Sequence, residues 1–227
     1  MDRLGYVRPG PAHREQAWEY IEEFLACGSN INGAGGLQKY LEDYPGWLDR
    51  LEVARRQVPT EEALPAETFF LVREGDGKIV GMANIRLALN ESQRRHGGHI
   101  GYSIRPTERR KGYNKVNLYL ALLVCQAHGI KEVLLDCDAA NAGSYRTMEA
   151  LGGTLVREYY DDEEDFCMTR VYTIDVPGCL CSSDFLPVPA GKVKTVRISR
   201  AEKYELFCLF TIAVEKKNPF CIWSHRR

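Results

Sequence analysis

Ile104-Arg105-Pro106-Thr107-Glu108-Arg109-Arg110-Lys111-Gly112-Tyr113-Asn114-Lys115 is the stretch from which the rest of the chain can be read. Upstream of it, Gly98 to Ile104 has the composition of a strand. Downstream, Val116 to His128 has helical spacing: Val116, Tyr119, Leu120, Leu123 and Ala127 fall on one stripe, and Gly129 closes the run. The junction is basic, holds a glycine and opens a helix. The first N–H groups of a helix have no partner within it, and the aligned peptide dipoles place partial positive charge there. A strand feeding such a turn is an anion cradle.

Working outward, Leu4 to Arg8 reads as a strand stopped by Pro9-Gly10-Pro11. Trp18, Ile21, Phe24 and Leu25 predict a helix whose apolar stripe is core, ended by Gly28. Residues 28–36 form a loop with four glycines, followed by a helical run from Leu37 to Arg56 that Pro45-Gly46 should break. Thr68 to Arg73 and Lys78 to Leu89 read as a hairpin around Glu74-Gly75-Asp76-Gly77. Asn90 to Gly98 is a polar, basic loop. Beyond the central helix come a short apolar strand (Glu132 to Cys137) and a helix from Asn141 to Leu151 stopped by Gly152-Gly153. Two strands, Thr154 to Tyr160 and Met168 to Val176, then flank an acidic turn at 161–165, expected to be a solvated hairpin tip. The order β-α-α-β-β-β-α-β-α-β-β predicts an α/β (α+β) fold: a mixed, mostly antiparallel twisted sheet with helices on both faces.

The totals set outer bounds. The chain has 227 residues, 44% hydrophobic and 27% charged, with a net charge of −1. That balance argues against general nucleic-acid binding. No apolar run approaches the roughly 18 residues of a membrane span, and Met1 to Tyr6 lacks a signal-peptide core, so a cytoplasmic protein with reduced cysteines is expected. Cys27, Cys125 and Cys137 sit in apolar patterns and read as core fillers. Cys179 and Cys181 have no second pair at zinc spacing, so no metal is expected. Residues 178–227 carry +5 against −6 for the remainder. That shift marks a division into a domain at 1–177 and a C-terminal extension at 178–227, where Glu202 to Val214 could form a helix or a strand.

The central stretch resembles the signature of the GNAT acetyltransferases. Ile104-x-Pro106 precedes Arg109-x-x-Gly112-x-Asn114, and a second motif follows at the family's usual distance: Asn141-x-x-Ser144, then a helix ending in Leu151-Gly152-Gly153. The resemblance covers about residues 4–176. It implies a sheet split at its central parallel strands and acetyl-CoA as cosubstrate, without a metal. It also implies that Arg109, Arg110, Lys111, Gly112, Tyr113, Asn114 and Lys115 surround the CoA pyrophosphate, that the backbone of Tyr102, Ser103 and Ile104 pairs with the pantetheine arm, and that Asn141 and Ser144 face it from the other wall. Two positions depart from the family pattern. Asn114 replaces a small residue, and Met148 stands where many members carry a tyrosine acid; Tyr145 is nearly a helical turn away.

The implied reaction is attack of a primary amine, from a small molecule or a peptide, on the thioester, in a monomer or a homodimer. A thiol with pKa near 8.5 leaves without help, whereas an alkylammonium near 10.4 needs a base. His99, at the start of the central strand, and Asp136 are the candidate bases; each has a bland alternative as a strand histidine or a turn cap. The glycine loop, with Tyr44 and Trp47 as possible walls, is either an acceptor contact or a linker. Arg94-Arg95-His96 with Arg105, Arg109, Arg110 and Lys111 could instead be a basic patch. A CoA-binding protein without catalysis and an interaction protein acting through its extension are the rival functions.

Overall fold

The structure is a computed structural model, and it describes residues 2–162, 167–182 and 211–214. Strand β1 (Asp2–Val7) leads into helix α1 (Arg14–Ala26), the glycine loop, helix α2 (Tyr44–Arg56), and the hairpin β2 (Ala66–Arg73) and β3 (Lys78–Arg86). A short helix α3 (Glu91–Arg95) precedes β4 (Ile100–Ile104), α4 (Tyr113–Ala127), β5 (Glu132–Asp138), α5 (Ala142–Glu149), β6 (Thr154–Tyr160), β7 (Met168–Asp175), α6 (Val176–Ser182) and β8 (Thr211–Val214). The strands form two sheets, ordered β4-β3-β2-β1-β8 and β5-β7-β6. All their recorded pairings are antiparallel.

The larger sheet is covered on both faces because its strands alternate two sets of apolar side chains. Phe69, Leu71, Val80 and Ala83 join a core with α4, while Phe70, Ile79 and Met82 join a second core with α1 and α2. Each fully buried Phe or Leu contributes about 1.5–3 kcal/mol. A buried amide fixes α4 in register: Asn117 accepts from the Tyr6 hydroxyl at its Oδ1 (2.7 Å) and donates to the carbonyls of Met82 (3.1 Å) and Ser103 (3.3 Å). A satisfied polar group inside an apolar core specifies one arrangement.

Several expectations are corrected. The buried stripe of α1 is Ala17, Tyr20, Ile21 and Phe24, whereas Trp18 and Leu25 are 38% and 63% exposed. The i, i+3, i+4, i+7 face runs one residue ahead of the tryptophan, whose ring nitrogen donates to Glu22. Pro45-Gly46 opens α2 instead of breaking it. A proline in the first turn gives up an N–H that has no helical partner, and the Asp43 carboxylate accepts from Gly46 N–H at 2.9 Å. Residues 91–95 form a helix capped by Asn90, not a loop. Cys27 is exposed. Asp161, expected at a solvated tip, is buried; residues 163–166 of that turn lie outside the described residues.

The proposed division at 177/178 falls inside α6, whose Val176 and Cys179 are buried in the α4 core, and β8 pairs with β1. Thr211 to Val214 is therefore strand; the other residues of the extension beyond 182 lie outside the described residues.

Candidate active site

The residue before β4 is bonded to the third residue of β5, and the two strands then part. His99 N–H donates to the Leu134 carbonyl (2.7 Å), and Leu134 N–H donates to His99 Nδ1 (3.0 Å). Beyond that link each strand belongs to its own sheet. A cleft of about 1280 Å³ runs along the opening. Its walls are the glycine loop, β4, the β4–α4 turn, the end of β5, the start of α5 and the segment before β4.

One end of the cleft is the β4–α4 turn, whose shape follows from its residues. Arg110 and Gly112 are left-handed (φ +64° and +82°), and α4 starts at Tyr113 with no side chain capping it. Arg110 is the one non-glycine residue with positive φ among the described residues. Successive turns of this hand aim backbone N–H groups at one point. A Cβ at Gly112 would meet no protein atom within 4 Å, so the backbone there faces open space. The turn is tied down from behind. Glu23 of α1 accepts from Thr107 N–H (2.6 Å) and Arg105 Nε (2.6 Å). Arg109 Nε donates to the Ile104 carbonyl (3.2 Å), and its guanidinium lies 5.2 Å from the Phe24 ring centroid. Glu108 is buried, which by itself would raise its pKa, but Lys111, Arg73 and Lys78 hold the carboxylate at about 2.

The free edge of β4 forms the floor. The bonds from Arg86 N–H to the His99 carbonyl and from Arg105 N–H to the Val80 carbonyl set the ladder's phase against β3. Antiparallel alternation then turns the peptide groups of Ile100, Tyr102 and Ile104 away from β3, toward the cleft. The glycine loop packs directly on this strand: a Cβ at Gly33 (φ +77°) would stand 2.5 Å from the Gly101 carbonyl oxygen. Ser103 Oγ donates to the Asn32 carbonyl (2.5 Å). Trp47 and Tyr44 are buried, and Trp47 supports the loop from behind by donating to the Gly35 carbonyl (3.1 Å).

Ser103, Ile104, Arg109, Arg110, Gly112, Tyr113, Asn114, Lys115, Asn141, Ser144 and Asp136 all line the cleft. Lys111 does not, because its ammonium is spent on Glu108. His99 is also absent from the lining. Its Nδ1 accepts the Leu134 N–H, and burial pushes its pKa down to about 4. Tyr113 contributes backbone; its buried side chain donates to Asp2. Asn114 bridges α4 to α5, its Nδ2 lying 3.1 Å from Thr147 Oγ1 and 3.4 Å from the Gly143 carbonyl. Asn141 caps α5 by accepting from Ser144 N–H (3.1 Å). Met148 is core, Tyr145 packs under Arg170 at 4.6 Å, and Arg105 is buried, so the arginines do not form one surface patch.

The other end of the cleft holds Arg86 and Asn84, which sequence reasoning missed, with His96 and Asp161, which it read as part of a basic patch and of a solvated hairpin tip. Here Asp136 Oδ2 accepts from Gly97 N–H (2.5 Å), and His96 Nδ1 lies 3.3 Å from Asp161 Oδ2. Sequence gave no signal for this pair, because 65 positions separate partners that meet only when the two sheets close. Asp138 accepts from Ala140 N–H, capping a turn. Among the described residues no group of three or more His, Cys, Asp or Glu could hold a metal ion, and no helix is long and apolar enough to cross a membrane.

Comparison with known proteins bears on this geometry. Among solved structures, a GNAT-family acetyltransferase of Bacillus anthracis superposes with a TM-score of 0.53 at 18% identity, covering 78% of this chain and 99% of its own. RimJ of Mycobacterium smegmatis, solved with CoA-disulfide, gives 0.54 at 14% identity, covering 79% and 93%. The self-immunity acetyltransferase MccE, solved with acetyl-CoA and AMP, gives 0.57 at 16% identity, covering 76% and 92%. At these identities the likeness concerns the fold. No curated protein matches the chain. The family model for the GNAT acetyltransferases matches residues 36–152, which hold the split between β4 and β5 and the turn at Arg109 to Gly112. That match spans more than half of the chain, which belongs to the GNAT acetyltransferases.

Proposed function

We propose that the protein transfers an acetyl group from acetyl-CoA to a primary amine of a small molecule or peptide, by direct attack of the amine on the thioester. One observation carries this reading: a single cleft joins an uncapped helix start at Tyr113 to the unpaired edge of β4 and then to a polar end around Asp136. A long, anionic, extended cosubstrate needs those three features in that order.

The residues fit that use. The open space at Gly112 and the left-handed turn at Arg110 suit the pyrophosphate, with Arg109, Arg110 and Lys115 near it. The peptide groups of Tyr102 and Ile104 can bond the pantetheine amides as an added strand would. Asn114, held to Thr147, keeps α5 beside α4, so that Asn141 and Ser144 form the opposite wall. An N–H of β4 near the split can polarise the carbonyl of the thioester. The relatives solved with acetyl-CoA and CoA-disulfide support the choice of cosubstrate. Titration calorimetry with acetyl-CoA, followed by CoA release over polyamines, amino acids, aminoglycosides and peptide N-termini, tests the reading. Binding together with CoA release on one amine class is expected; absence of both sinks it.

A further inference from the structure

We infer that the amine acceptor carries a carboxylate on an aliphatic stem, and that Arg50 of α2 binds that carboxylate; this rests on the acyl-transfer reading above and names its substrate class.

Arg50 is seated by its surroundings. From the middle of α2 its side chain crosses to the glycine loop, where Nη1 donates to the Gly35 carbonyl (2.7 Å). Trp47, three residues earlier on the same helix face, is fully buried and donates to the same oxygen (3.1 Å), so the group that holds the arginine is itself held. Gly36 makes room for the head: a Cβ there would stand 3.3 Å from Arg50 Nη1, on a backbone with φ +80°. Gly35 in turn rests on β2, whose Thr68 Oγ1 would lie 2.7 Å from a Cβ at that position. The guanidinium is therefore placed over the glycine loop, in the wall of the cleft.

The charges at this end of the cleft then decide what the arginine can meet. Arg86 Nη1 donates to the Gly97 carbonyl (3.3 Å), and Asp136 accepts the Gly97 N–H. Those opposite charges flank one residue and largely offset each other at the distance of a substrate. Asp161 is buried, with His96 Nδ1 3.3 Å away. Gln38, Asn84 and Gln93 are neutral. Arg50 is the charged side chain that stands exposed among the described residues lining this end. A guanidinium has five N–H groups in a planar fork, and the Gly35 bond uses one of them. Among the described residues no carboxylate pairs with it.

The acceptor follows from that placement. Its amine has to lie near the split, where the thioester is, so the part that meets Arg50 is its other end. A carboxylate matches the fork with two parallel, charge-assisted bonds. Leu51, Ala54, Leu64 and Ala66 line the same end, and they suit methylene groups between the amine and the carboxylate. A polyamine or an aminoglycoside would bring further positive charge to an arginine instead, and like charges placed together oppose binding.

The test measures CoA release by the full chain on pairs of amines that differ only in the carboxylate: β-alanine against ethylamine, γ-aminobutyrate against propylamine and ε-aminocaproate against pentylamine, with spermidine alongside. In the wild type, kcat/KM for the carboxylated member of at least one pair is expected to exceed that of its partner about 3- to 30-fold, mostly through KM, the range between an exposed and a well-held ion pair. Arg50→Gln is expected to bring that ratio close to one. Arg50→Lys is expected to keep part of it, because the charge remains without the fork. A wild-type ratio near one in every pair, or spermidine as the preferred acceptor, overturns the proposal without needing any variant to fold. Equal losses on both members of a pair in Arg50→Gln overturn the role of Arg50, which would then only support the glycine loop. CoA release that ignores the carboxylate leaves the acyl-transfer reading standing and sinks this inference alone. A wild type that binds acetyl-CoA but releases no CoA with any amine overturns the acyl-transfer reading itself, and the acceptor class with it.

Discussion

Glu108 stands in sequence among arginines and lysines, and the fold makes it their counter-ion. Arg73 (2.8 Å), Lys78 (3.2 Å) and Lys111 (2.7 Å) converge on one buried carboxylate under the anion turn. Its folded pKa of about 2 lies below the ordinary value near 4.5, so its stabilising contribution is complete above about pH 4.5 and is lost as pH falls toward 2. Thermal melts from pH 6 to 2.5 should therefore show the wild type losing its advantage over Glu108→Gln across that window. An advantage that does not change with pH would remove the charge network from the account. His99 adds an earlier step of the same sign: neutral in the fold down to about pH 4, it costs stability below its ordinary pKa of 6.5. Gly112→Asp acts on the ligand side. It places a side chain at φ +82° and a carboxylate where the pyrophosphate would lie. Strain of about 1–3 kcal/mol, before any charge repulsion, should weaken acetyl-CoA at least tenfold by calorimetry. Residue types at this turn were legible because glycine and base in a strand–helix junction have few other uses. The polar end of the cleft was not, because His96 and Asp161 come from segments 65 positions apart that meet only in the folded chain.

At the scale of elements, Asn114 is the departure from the family pattern that sequence alone could only mark. The structure gives it work between helices: its amide ties the first turn of α4 to Gly143 and Thr147 of α5. Asn114→Ala should cost about 1 kcal/mol in denaturant unfolding, the usual value of a hydrogen bond. It should also weaken acetyl-CoA modestly, because the wall carrying Asn141 is no longer held. Gly33→Ala should be harsher. Its Cβ would meet the Gly101 carbonyl oxygen at 2.5 Å in a left-handed backbone, so the glycine loop must lift from β4, at roughly 1–3 kcal/mol. Chemical denaturation together with acetyl-CoA titration would show both losses; a neutral variant would mean that the loop does not rest on the strand. The elements themselves were readable from periodicity. The errors came where one local feature has two meanings: Pro45 can break a helix or begin one, and Trp18 can lead an apolar face or flank it. Tertiary packing decides such cases, and a single sequence does not contain it.

At the scale of the molecule, the split between the sheets was legible only through the resemblance to the GNAT acetyltransferases; the strand–helix–strand unit inside an antiparallel set by itself predicts no more than a mixed sheet. The chain's end was not, since a basic segment with one apolar run fits a helix, a strand or a linker equally well. In the structure, α6 continues from β7 into the α4 core, and β8 covers the edge of β1, opposite to the edge that faces the cleft. Among the described residues, every one lining the cleft lies between Phe24 and Thr169, so α6 and β8 touch the sheets and not the site. A chain ending at residue 182 should accordingly keep its acetyl-CoA thermal shift while its melting temperature falls. Each kcal/mol lost corresponds to about 2–4 °C for a protein of this size. It should also aggregate more readily, because β1 becomes an exposed edge with unpaired N–H and C=O groups. Loss of the thermal shift in a protein that still melts cooperatively would mean that the extension reaches the cleft after all. An unchanged melting temperature would mean that the β1–β8 pairing adds nothing to the fold.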